Sequence, residues 1–394
     1  MASEWPIVKL GDICDKIGSG ATPKGGKDAY CSEGISLIRS QNVLDFAFSD
    51  DGLAYINDEQ ARKLNNVEVQ SGDVLLNITG DSVARVCIVE DGYLPARVNQ
   101  HVAIVRGNGK KVISSYLLYF LQMEKPHLLQ LASAGATRNA LTKGMIEQLE
   151  LVLPPLDVQR RMVAILDSLQ QKIRTNNMIN DNLEQQAATV FGDWLSKCTE
   201  TASIGDLSNN ILDYTPIAAE MVRLLNSSDV TEGVFPVAPL VPNKDLKGHF
   251  KKRFQFDDIL YSEIRPRNHH YGYVMFDASE YIASTRLMVI RAITSKVSPA
   301  LLYQYLLLPD VEAEFTLKTE SRSGTFPQGN YADMASIMVP YSSIESQSAV
   351  SDVLLQIRKT IAQNQLENRH LEELRDTLLP RLMSGEIDVS AIDI

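Results

Sequence analysis

The chain has 394 residues, 44% of them hydrophobic, which is enough for two or three domains with apolar cores. Its 49 acidic and 38 basic side chains give a net charge of −11, which argues against a protein that coats nucleic acid by charge alone. The sequence has no long apolar run, no signal peptide and no paired cysteines, so we expect a cytoplasmic protein with no membrane partner, disulfide framework or metal site.

Residues 1–153 are predicted to form a mixed α+β domain. Short β-rich runs, "DVLLNI", "ARVCIV" and "HVAIVR", alternate with turn signals such as "EDG" and "RGNG". One helix is predicted at residues 114–125, "SSYLLYFLQMEK". Pro154 and Pro155 then mark the entry to a long amphipathic helix, because proline disfavours helical residues before it.

The chain repeats this unit. The stretch "LPPLDVQRRMVAILDSLQQKIRTNNMINDNLEQQ" has a gap-free counterpart, "VPYSSIESQSAVSDVLLQIRKTIAQNQLENRHLEE", when Gln159 is aligned with Gln347. Upstream, "LGDI" recurs as "IGDL", and "SSYLLYFL" corresponds to "PALLYQYL". We therefore predict a first globular domain at 1–153, a long helix at 154–198, a second globular domain at 199–340, and a second long helix with a C-terminal tail at 341–394.

Both long helices carry an apolar seam with steps of four and three residues, the pattern of a coiled coil. Each seam has two central asparagines, Asn176 and Asn180 in the first helix, Asn364 and Asn368 in the second. These side chains either face water or pair across the interface, where polar residues specify register. An antiparallel arrangement places Asn176 opposite Asn368 and Asn180 opposite Asn364. Connectivity favours it, because a parallel pair needs a return of about 60 Å between the helices.

Two further features of the helices carry expectations. Arg375 is the seam residue that does not fit, and we expect its long side chain to reach solvent. Apolar residues outside the seam form either a surface for partner helices or local packing against the globular domains; they are Ile179, Phe191, Leu195, Leu366 and Leu374.

The predicted fold class is α+β: two similar globular domains joined by two long helices that form an antiparallel coiled coil, with a pseudo-twofold internal repeat. Such a molecule carries its two domains at opposite ends of a rod. Two similar domains at a fixed distance suit a ligand with two sites at a set separation, and duplex DNA is such a ligand.

The sequence resembles the specificity subunit of Type I restriction–modification enzymes over essentially its whole length. The matching stretches are "IGSGATPKGGKDAYCSEGISLIRSQNV", "GDVLLNITGDSVARVCIV", "VNQHVAIVRG", "SAGATRNALTKGMIEQLELVLPPLDVQRRMV" and "LRDTLLPRLMSGEIDV". Departures are small: Val158 and Ser346 stand where the family has an acidic residue before the helix-start glutamine.

The resemblance implies a DNA-binding subunit without catalysis of its own. Each globular domain would be a target recognition domain that reads one half of a bipartite, asymmetric sequence, for DNA methylation and phage defence. The helices would set the spacer and bind two adenine methyltransferase (modification) subunits, and two restriction/translocase subunits can join. S-adenosylmethionine, Mg and ATP would be used by those partners, with no cofactor in this chain.

Catalytic motifs are incomplete in this sequence. "GATPKGGK" fails the phosphate-loop register, because Ala21 and Asp28 stand where glycine and Ser/Thr are needed. "LPPL" does not replace the Asn-Pro-Pro-aromatic turn of amino-methyltransferases, and "PDVEAEFTLK" lacks the acidic-x-Lys of a metal-dependent nuclease. These absences favour a reader over an enzyme.

Side chains able to contact base edges or phosphates cluster in two corresponding stretches. "NITGDSVARV" contains Asn77, Thr79, Ser82 and Arg85, and "SEIRPRNHHYGY" contains Arg265, Arg267, Asn268, His269, His270 and Tyr271. Further candidate contacts are Lys24, Lys27, Arg39 and Arg138. The alternative for each is an exposed residue without a role. Because the two stretches differ so much, we expect the domains to read different half-sites.

A second interpretation of the whole chain is a non-catalytic coiled-coil scaffold whose globular domains bind proteins in a defence system. A gel-shift experiment with the reconstituted methyltransferase complex distinguishes the two, because only the DNA-reading subunit would confer sequence-specific binding.

Overall fold

The computed structural model describes residues 5–25, 29–133, 140–320 and 328–391. Two predicted contacts, Lys27 and Arg138, lie outside these ranges. The chain forms two compact units, one made of the residues up to Arg174 together with those from Arg369 onward, the other of residues Thr175–Asn368. Each unit therefore contains one globular domain and part of each long helix.

The first unit begins with an α+β domain whose helices and strands follow the predicted runs. Its strands are β1 (Ile7–Lys9), β2 (Cys14–Ser19), β3 (Ile35–Ile38), β4 (Ala54–Ile56), β5 (Glu68–Val69), β6 (Val74–Asn77), β7 (Val86–Ile88), β8 (Ala96–Val98), β9 (Val102–Gly107) and β10 (Glu150–Val152). Its helices are α1 (Leu10–Ile13), α2 (Asp58–Lys63), α3 (Ser114–Met123), α4 (Lys125–Ser133) and α5 (Lys143–Glu147), followed by the long helix α6 (Leu156–Leu195).

The globular domain of the second unit has the same strands in the same order, and its described residues include no helix at the position of α2. Its strands are β11 (Glu200–Ser203), β12 (Ser208–Asn210), β13 (Met221–Leu225), β14 (Leu240–Pro242), β15 (Phe250–Lys252), β16 (Ile259–Ser262), β17 (Tyr271–Tyr273), β18 (Tyr281–Ser284), β19 (Leu287–Ala292) and β20 (Met338–Tyr341). Its helices are α7 (Ile204–Leu207), α8 (Pro299–Leu306), α9 (Pro309–Glu320) and α10 (Tyr331–Ala335), followed by the long helix α11 (Ile344–Met383).

The two domains share one sheet topology. The first has the strand orders β2-β9-β6-β7 and β4-β3-β8-β5, and the second has β12-β19-β16-β17 and β14-β13-β18-β15. Even the strand directions correspond, since β3–β8 and β13–β18 are both parallel pairs among antiparallel neighbours. The internal repeat predicted from the helices therefore extends through both globular domains.

A short two-stranded sheet closes each domain where the chain enters and leaves it. β1 pairs with β10 in the first domain, and β11 pairs with β20 in the second, both antiparallel. Each long helix begins within a few residues of this closure. Entry and exit of a domain are therefore adjacent within its own unit.

A buried glutamine fastens the start of each long helix to its domain. Gln159 donates to the carbonyls of Lys111 and Pro154 at 2.9 and 2.8 Å, and its Oε1 accepts from Ile113 N. Gln347 donates at 2.9 and 2.8 Å to the carbonyls of Lys296 and Ser342. These are the two residues on which the repeats were aligned, and their fully buried side chains hold corresponding positions.

The halves of α6 and α11 pair antiparallel within each unit, as predicted. In the first unit Met162 and Leu166 share a buried cluster with Leu379 and Leu382. In the second unit the contacts run in opposite directions along the chain, from Asn176 with Asn368, through Asn180 with Asn364, to Glu184 with Arg358. The seam thus packs where the heptad pattern placed it.

The central asparagines pair across the helix interface. Asn176 Nδ2 donates to Asn368 Oδ1 and Asn364 Nδ2 donates to Asn180 Oδ1, each at 2.8 Å. Asn368 Nδ2 also donates to Asn177 Oδ1 at 2.7 Å. The predicted pairing is confirmed, and because a one-step slip would leave these buried amides without partners, it specifies the register.

The expectation for Arg375 was wrong. Its side chain does not reach solvent but stays buried, with the guanidinium 4.3 Å from the Phe46 ring centroid. Nη1 donates to Gln170 Oε1 at 2.9 Å, and Asp376 supplies a carboxylate at 2.8 Å. A planar guanidinium can stack on an aromatic ring and still donate hydrogen bonds at its edge. The expectation that the side chain would extend to solvent did not take this into account.

In the described ranges, none of the helices combines the length and apolar content that a membrane crossing requires.

Candidate nucleic-acid interface

The two stretches chosen from the sequence form corresponding hairpin loops. Residues 78–85, here the first hairpin loop, connect β6 to β7, and residues 263–270, the second hairpin loop, connect β16 to β17. Both loops have eight residues and equivalent backbone bonds. Asn77 N donates to Arg85 O at 2.9 Å, and Ser262 N donates to His270 O at 2.8 Å.

Their backbone conformations also correspond, although their sequences do not. Gly80 and Ala84 have φ of 77° and 67°, and the equivalent Arg265 and His269 have φ of 47° and 53°. Positive φ costs a residue with a side chain about 1–2 kcal/mol, whereas glycine adopts it freely. The second hairpin loop therefore has an unfavourable backbone conformation at Arg265, whereas glycine removes that cost in free energy at the equivalent Gly80 of the first.

The first hairpin loop offers fewer side chains than predicted. Asn77 is fully buried and donates to the carbonyls of Ser40 and Val43, so it supports a neighbouring segment, and we leave it out of the proposed DNA contacts. Thr79 Oγ1 lies 2.6 Å from His101 Nδ1. Ser82 and Arg85 are half-buried at the loop.

The second hairpin loop presents a denser set. Arg265, Arg267 and Asn268 are exposed, and Arg267 lies 3.4 Å from the Glu320 carboxylate of α9. His270 Nδ1 lies 2.9 Å from the carbonyl oxygen of Val230. The loop thus turns two arginines and an amide outward, the side chains best suited to guanine and adenine edges.

Aromatic and imidazole side chains support this loop from behind. Tyr271 stacks on Tyr261 with a centroid distance of 5.6 Å, and burial raises the pKa of Tyr271 to about 12. His269 contacts two carboxylates, with Nδ1 2.9 Å from Glu232 Oε1 and Nε2 3.1 Å from Glu312 Oε1. These carboxylates raise the pKa of His269, the hydrogen bond that it donates to Glu232 contributing most, against the opposing effect of burial.

Two other candidate contacts lie elsewhere in the first domain. Lys24 is exposed in a turn. Arg39 is half-buried, donates to the carbonyl of Gly52, and has its guanidinium 5.6 Å from the Tyr30 ring centroid.

A buried ion pair at the end of each hairpin opposite its loop was missed by sequence reasoning. Asp73 accepts two hydrogen bonds from Arg106, both at 2.7 Å, and Asp258 accepts two from Arg291 at 2.6 and 2.8 Å. Both carboxylates are almost fully buried, and each pair joins the start of the hairpin strand to the neighbouring strand. The equal spacing of Asp73 to Arg106 and Asp258 to Arg291 was the available signal.

The predicted partner surface of the helices divides into two groups. Phe191 is 2% exposed and meets the Tyr305 ring edge-on at 5.1 Å, so its assignment to a partner surface was wrong, and Leu195 packs against the same core. Phe191 is buried against Tyr305 of α8 because it lies where the C-terminal part of α6 passes the second globular domain. Ile179, Leu366 and Leu374 are exposed, as are Met178 and Val353, which the seam analysis overlooked.

Over the residues that the structure describes, no group of three or more His, Cys, Asp or Glu side chains is arranged to hold a metal ion.

Comparison with known proteins identifies one family. The family profile described as the Type I restriction modification DNA specificity domain matches residues 2–185 and 236–374. The Type I restriction enzyme HindI specificity subunit of Haemophilus influenzae is 35% identical over 179 residues, a segment that covers 45% of this chain and 39% of that relative. The Type I restriction enzyme MjaVIII specificity subunit of Methanocaldococcus jannaschii is 22% identical over 99% of this chain and 94% of its own length.

A solved structure has the same fold. The crystal structure of a Type-I restriction-modification system S subunit from M. genitalium matches with a TM-score of 0.58 and 13% sequence identity, covering 96% of each chain. Since the family profile covers well over half of the sequence and spans both globular domains, this chain belongs to the family of Type I restriction modification DNA specificity domains.

Proposed function

We propose that this chain is the DNA-reading subunit of a Type I restriction–modification complex, in which each globular domain reads one half of a bipartite, asymmetric target. As a member of the specificity family, the chain is a non-catalytic subunit. The helices α6 and α11 would set the length of the unread spacer between the two half-sites.

The observation that carries the proposal is a shared scaffold with different side chains. The two domains have one topology, and their hairpin loops have equal lengths and equivalent bonds. Yet the loop between β6 and β7 presents Thr79, Ser82 and Arg85, whereas the loop between β16 and β17 presents arginines and Asn268. Two domains that share one fold but carry different base-contacting side chains suit two half-sites of different sequence.

Exposed apolar side chains on the long helices support docking of partner subunits. Met178 and Ile179 on α6 are 65% and 42% exposed, and Leu366 and Leu374 on α11 are 48% and 45% exposed. These side chains lie outside the heptad seam, so they are available for contact with partner helices. We assign them to contacts with two methyltransferase subunits, and two restriction/translocase subunits would complete the complex.

The chemistry would belong to those partners. S-adenosylmethionine would serve the methyltransferase subunits, and Mg and ATP the restriction subunits, so the cytoplasm, where DNA and these compounds meet, would be the place of action. This chain would contribute the choice of sequence.

A domain exchange tests the proposal. Residues 201–340 begin in β11 and end in β20, and Thr201 pairs with Pro340, so entry and exit lie together and another recognition domain can be inserted there without altering α6 or α11. We expect the adenine methylation motif, mapped by single-molecule sequencing of the host genome, to change in one half only. A change in both halves, or in neither, would refute the division of labour.

A gel-shift measurement separates this function from a protein-binding scaffold. The chain reconstituted with its methyltransferase subunits should shift a duplex carrying the mapped motif. It should not shift a duplex in which one half-site is scrambled. An equal shift of both duplexes would favour the protein-binding scaffold.

A further inference from the structure

The second hairpin loop is held by a histidine that the first hairpin loop lacks. His269 Nδ1 lies 2.9 Å from Glu232 Oε1, and His269 Nε2 lies 3.1 Å from Glu312 Oε1. Glu232 belongs to the turn before Gly233, and Glu312 to α9. One ring thus connects the loop to two separate segments of its domain.

The two contacts require a particular protonation state. A carboxylate only accepts hydrogen bonds, so both are satisfied when both ring nitrogens carry a proton, which is the imidazolium form. The side chain of His269 is 37% exposed, so the charge retains contact with water and does not carry the cost of full burial.

The backbone at the same residue is one that needs support. His269 has φ of 53° and Arg265 has φ of 47°, both unfavourable for residues with a side chain. The main chain joins the same turn, because Glu232 N donates to His269 O at 2.9 Å. At the equivalent position of the first hairpin loop Ala84 is buried in the apolar core, so packing supports that loop where the ring supports this one.

We propose that His269 is a positioning residue, whose bridge between Glu232 and Glu312 holds Arg265, Arg267 and Asn268 in the arrangement that reads the second half-site. The inference rests on the proposed function. A second anchor to the same helix, Arg267 with Glu320 at 3.4 Å, orients the loop relative to α9.

A pH dependence follows from the groups that face the ring. These are Glu232 from the turn, Glu312 from α9 and Tyr271 from β17. The carboxylates raise the pKa of His269. A raised folded-state pKa means that the support is fully present below the ordinary histidine value of about 6.5 and is lost as the pH rises through the raised value.

The direct test measures the loop without DNA. Hydrogen–deuterium exchange of the full chain would follow peptides covering residues 263–270 and 78–85 near pH 6 and pH 9, corrected for intrinsic exchange. We expect protection of the second hairpin loop to fall about threefold to tenfold at the higher pH, the range that one or two partly exposed ion pairs supply. The first hairpin loop should show no such change.

Variants identify the group responsible. H269A should show the low protection at both pH values, and its thermal midpoint should match that of the unsubstituted chain near pH 9, where the bridge of His269 is already lost. H127A is the matched control, since His127 pairs with Glu124 on the surface of the first unit, and it should behave as the unsubstituted chain. Protection of the second loop that is independent of pH, or unchanged in H269A, would overturn the proposal.

The link to reading is tested on a duplex carrying the methylation motif mapped from the host genome. With the reconstituted complex, H269A should weaken binding about threefold to tenfold near pH 6 and remove the additional weakening near pH 9. If loop protection changes as expected but DNA binding does not, the positioning role is refuted. The proposed function would then still be tested separately by the domain exchange. Failure of that exchange would instead refute the reading function itself.

Discussion

Buried polar side chains decide how the two long helices of this chain can pair. Asn176 and Asn368 are almost fully buried, yet they are joined by a bond of 2.8 Å. Glu367 and Asn177 add further bonds to the same layer, and neither was expected from the heptad pattern. The pattern predicted which asparagines would face each other because it depends on spacing. It could not predict these flanking partners, which depend on side-chain rotamers.

Single and double substitutions measure this layer. N368L should lower the thermal midpoint, because it removes the partner of the buried Asn176 amide, at a cost of about 1–3 kcal/mol. N176L combined with N368L should recover part of the loss, because two leucines pack where two amides paired. Calorimetry of N176L, N368L and the double variant, with N182L as an exposed control on α6, checks this. A double variant as unstable as the sum of the two single variants would show that the amides do not act as a pair.

The hairpin loops show how an element can keep its shape while its side chains change. The sequence predicted both loops, since each lies between two β-rich runs. It did not predict that the two loops have the same backbone conformation. Gly80 and Arg265 are dissimilar residues, yet both have positive φ. Backbone hydrogen bonds at the ends of both loops, core packing of Ala84 and the contacts of His269 support that shape. Tertiary support overrides local preference here.

A graft tests whether the loops share a scaffold. Replacing Arg265–Asn268, "RPRN", with the corresponding "GDSV" of residues 80–83 should leave the thermal midpoint within about 4 °C, because glycine suits the φ of 47° at residue 265. The half of the methylation motif read by the second domain should change. The control "PRRN" keeps the charge but places proline at residue 265, which cannot adopt positive φ, and should destabilise the domain. A graft that unfolds, or that reads the original half-site, would contradict the shared scaffold.

The whole chain is acidic, with 49 acidic against 38 basic side chains, although its proposed ligand is a polyanion. The exposed arginines of the second hairpin loop are local exceptions. Phosphate contacts need Lys and Arg, so a chain of this charge has little general attraction for DNA. We therefore expect tight binding to need the methyltransferase subunits to complete the charged surface around the duplex.

Salt dependence of binding checks this expectation. The purified chain alone should bind a duplex carrying its motif poorly and at low salt only, with log K falling by about 0.9 per phosphate contact for each tenfold rise in salt. Adding the methyltransferase subunits should raise both the affinity and this slope. Fluorescence anisotropy between low and physiological salt measures both quantities. Nanomolar binding by the chain alone at physiological salt would contradict the argument.

By itself, the sequence determined the duplication, the antiparallel pairing of the helices and the asparagine layers. These features follow from periodicity and spacing, which chain order preserves. Only the tertiary structure decided which of the predicted residues are available: it buried Asn77, Phe191 and Arg375 and left Arg265, Arg267 and Asn268 exposed. It also brought Glu232 and Glu312 to His269, residues 37 and 43 positions apart from it. Exposure and distant contacts arise from packing in three dimensions, and residue spacing along a chain carries little record of them.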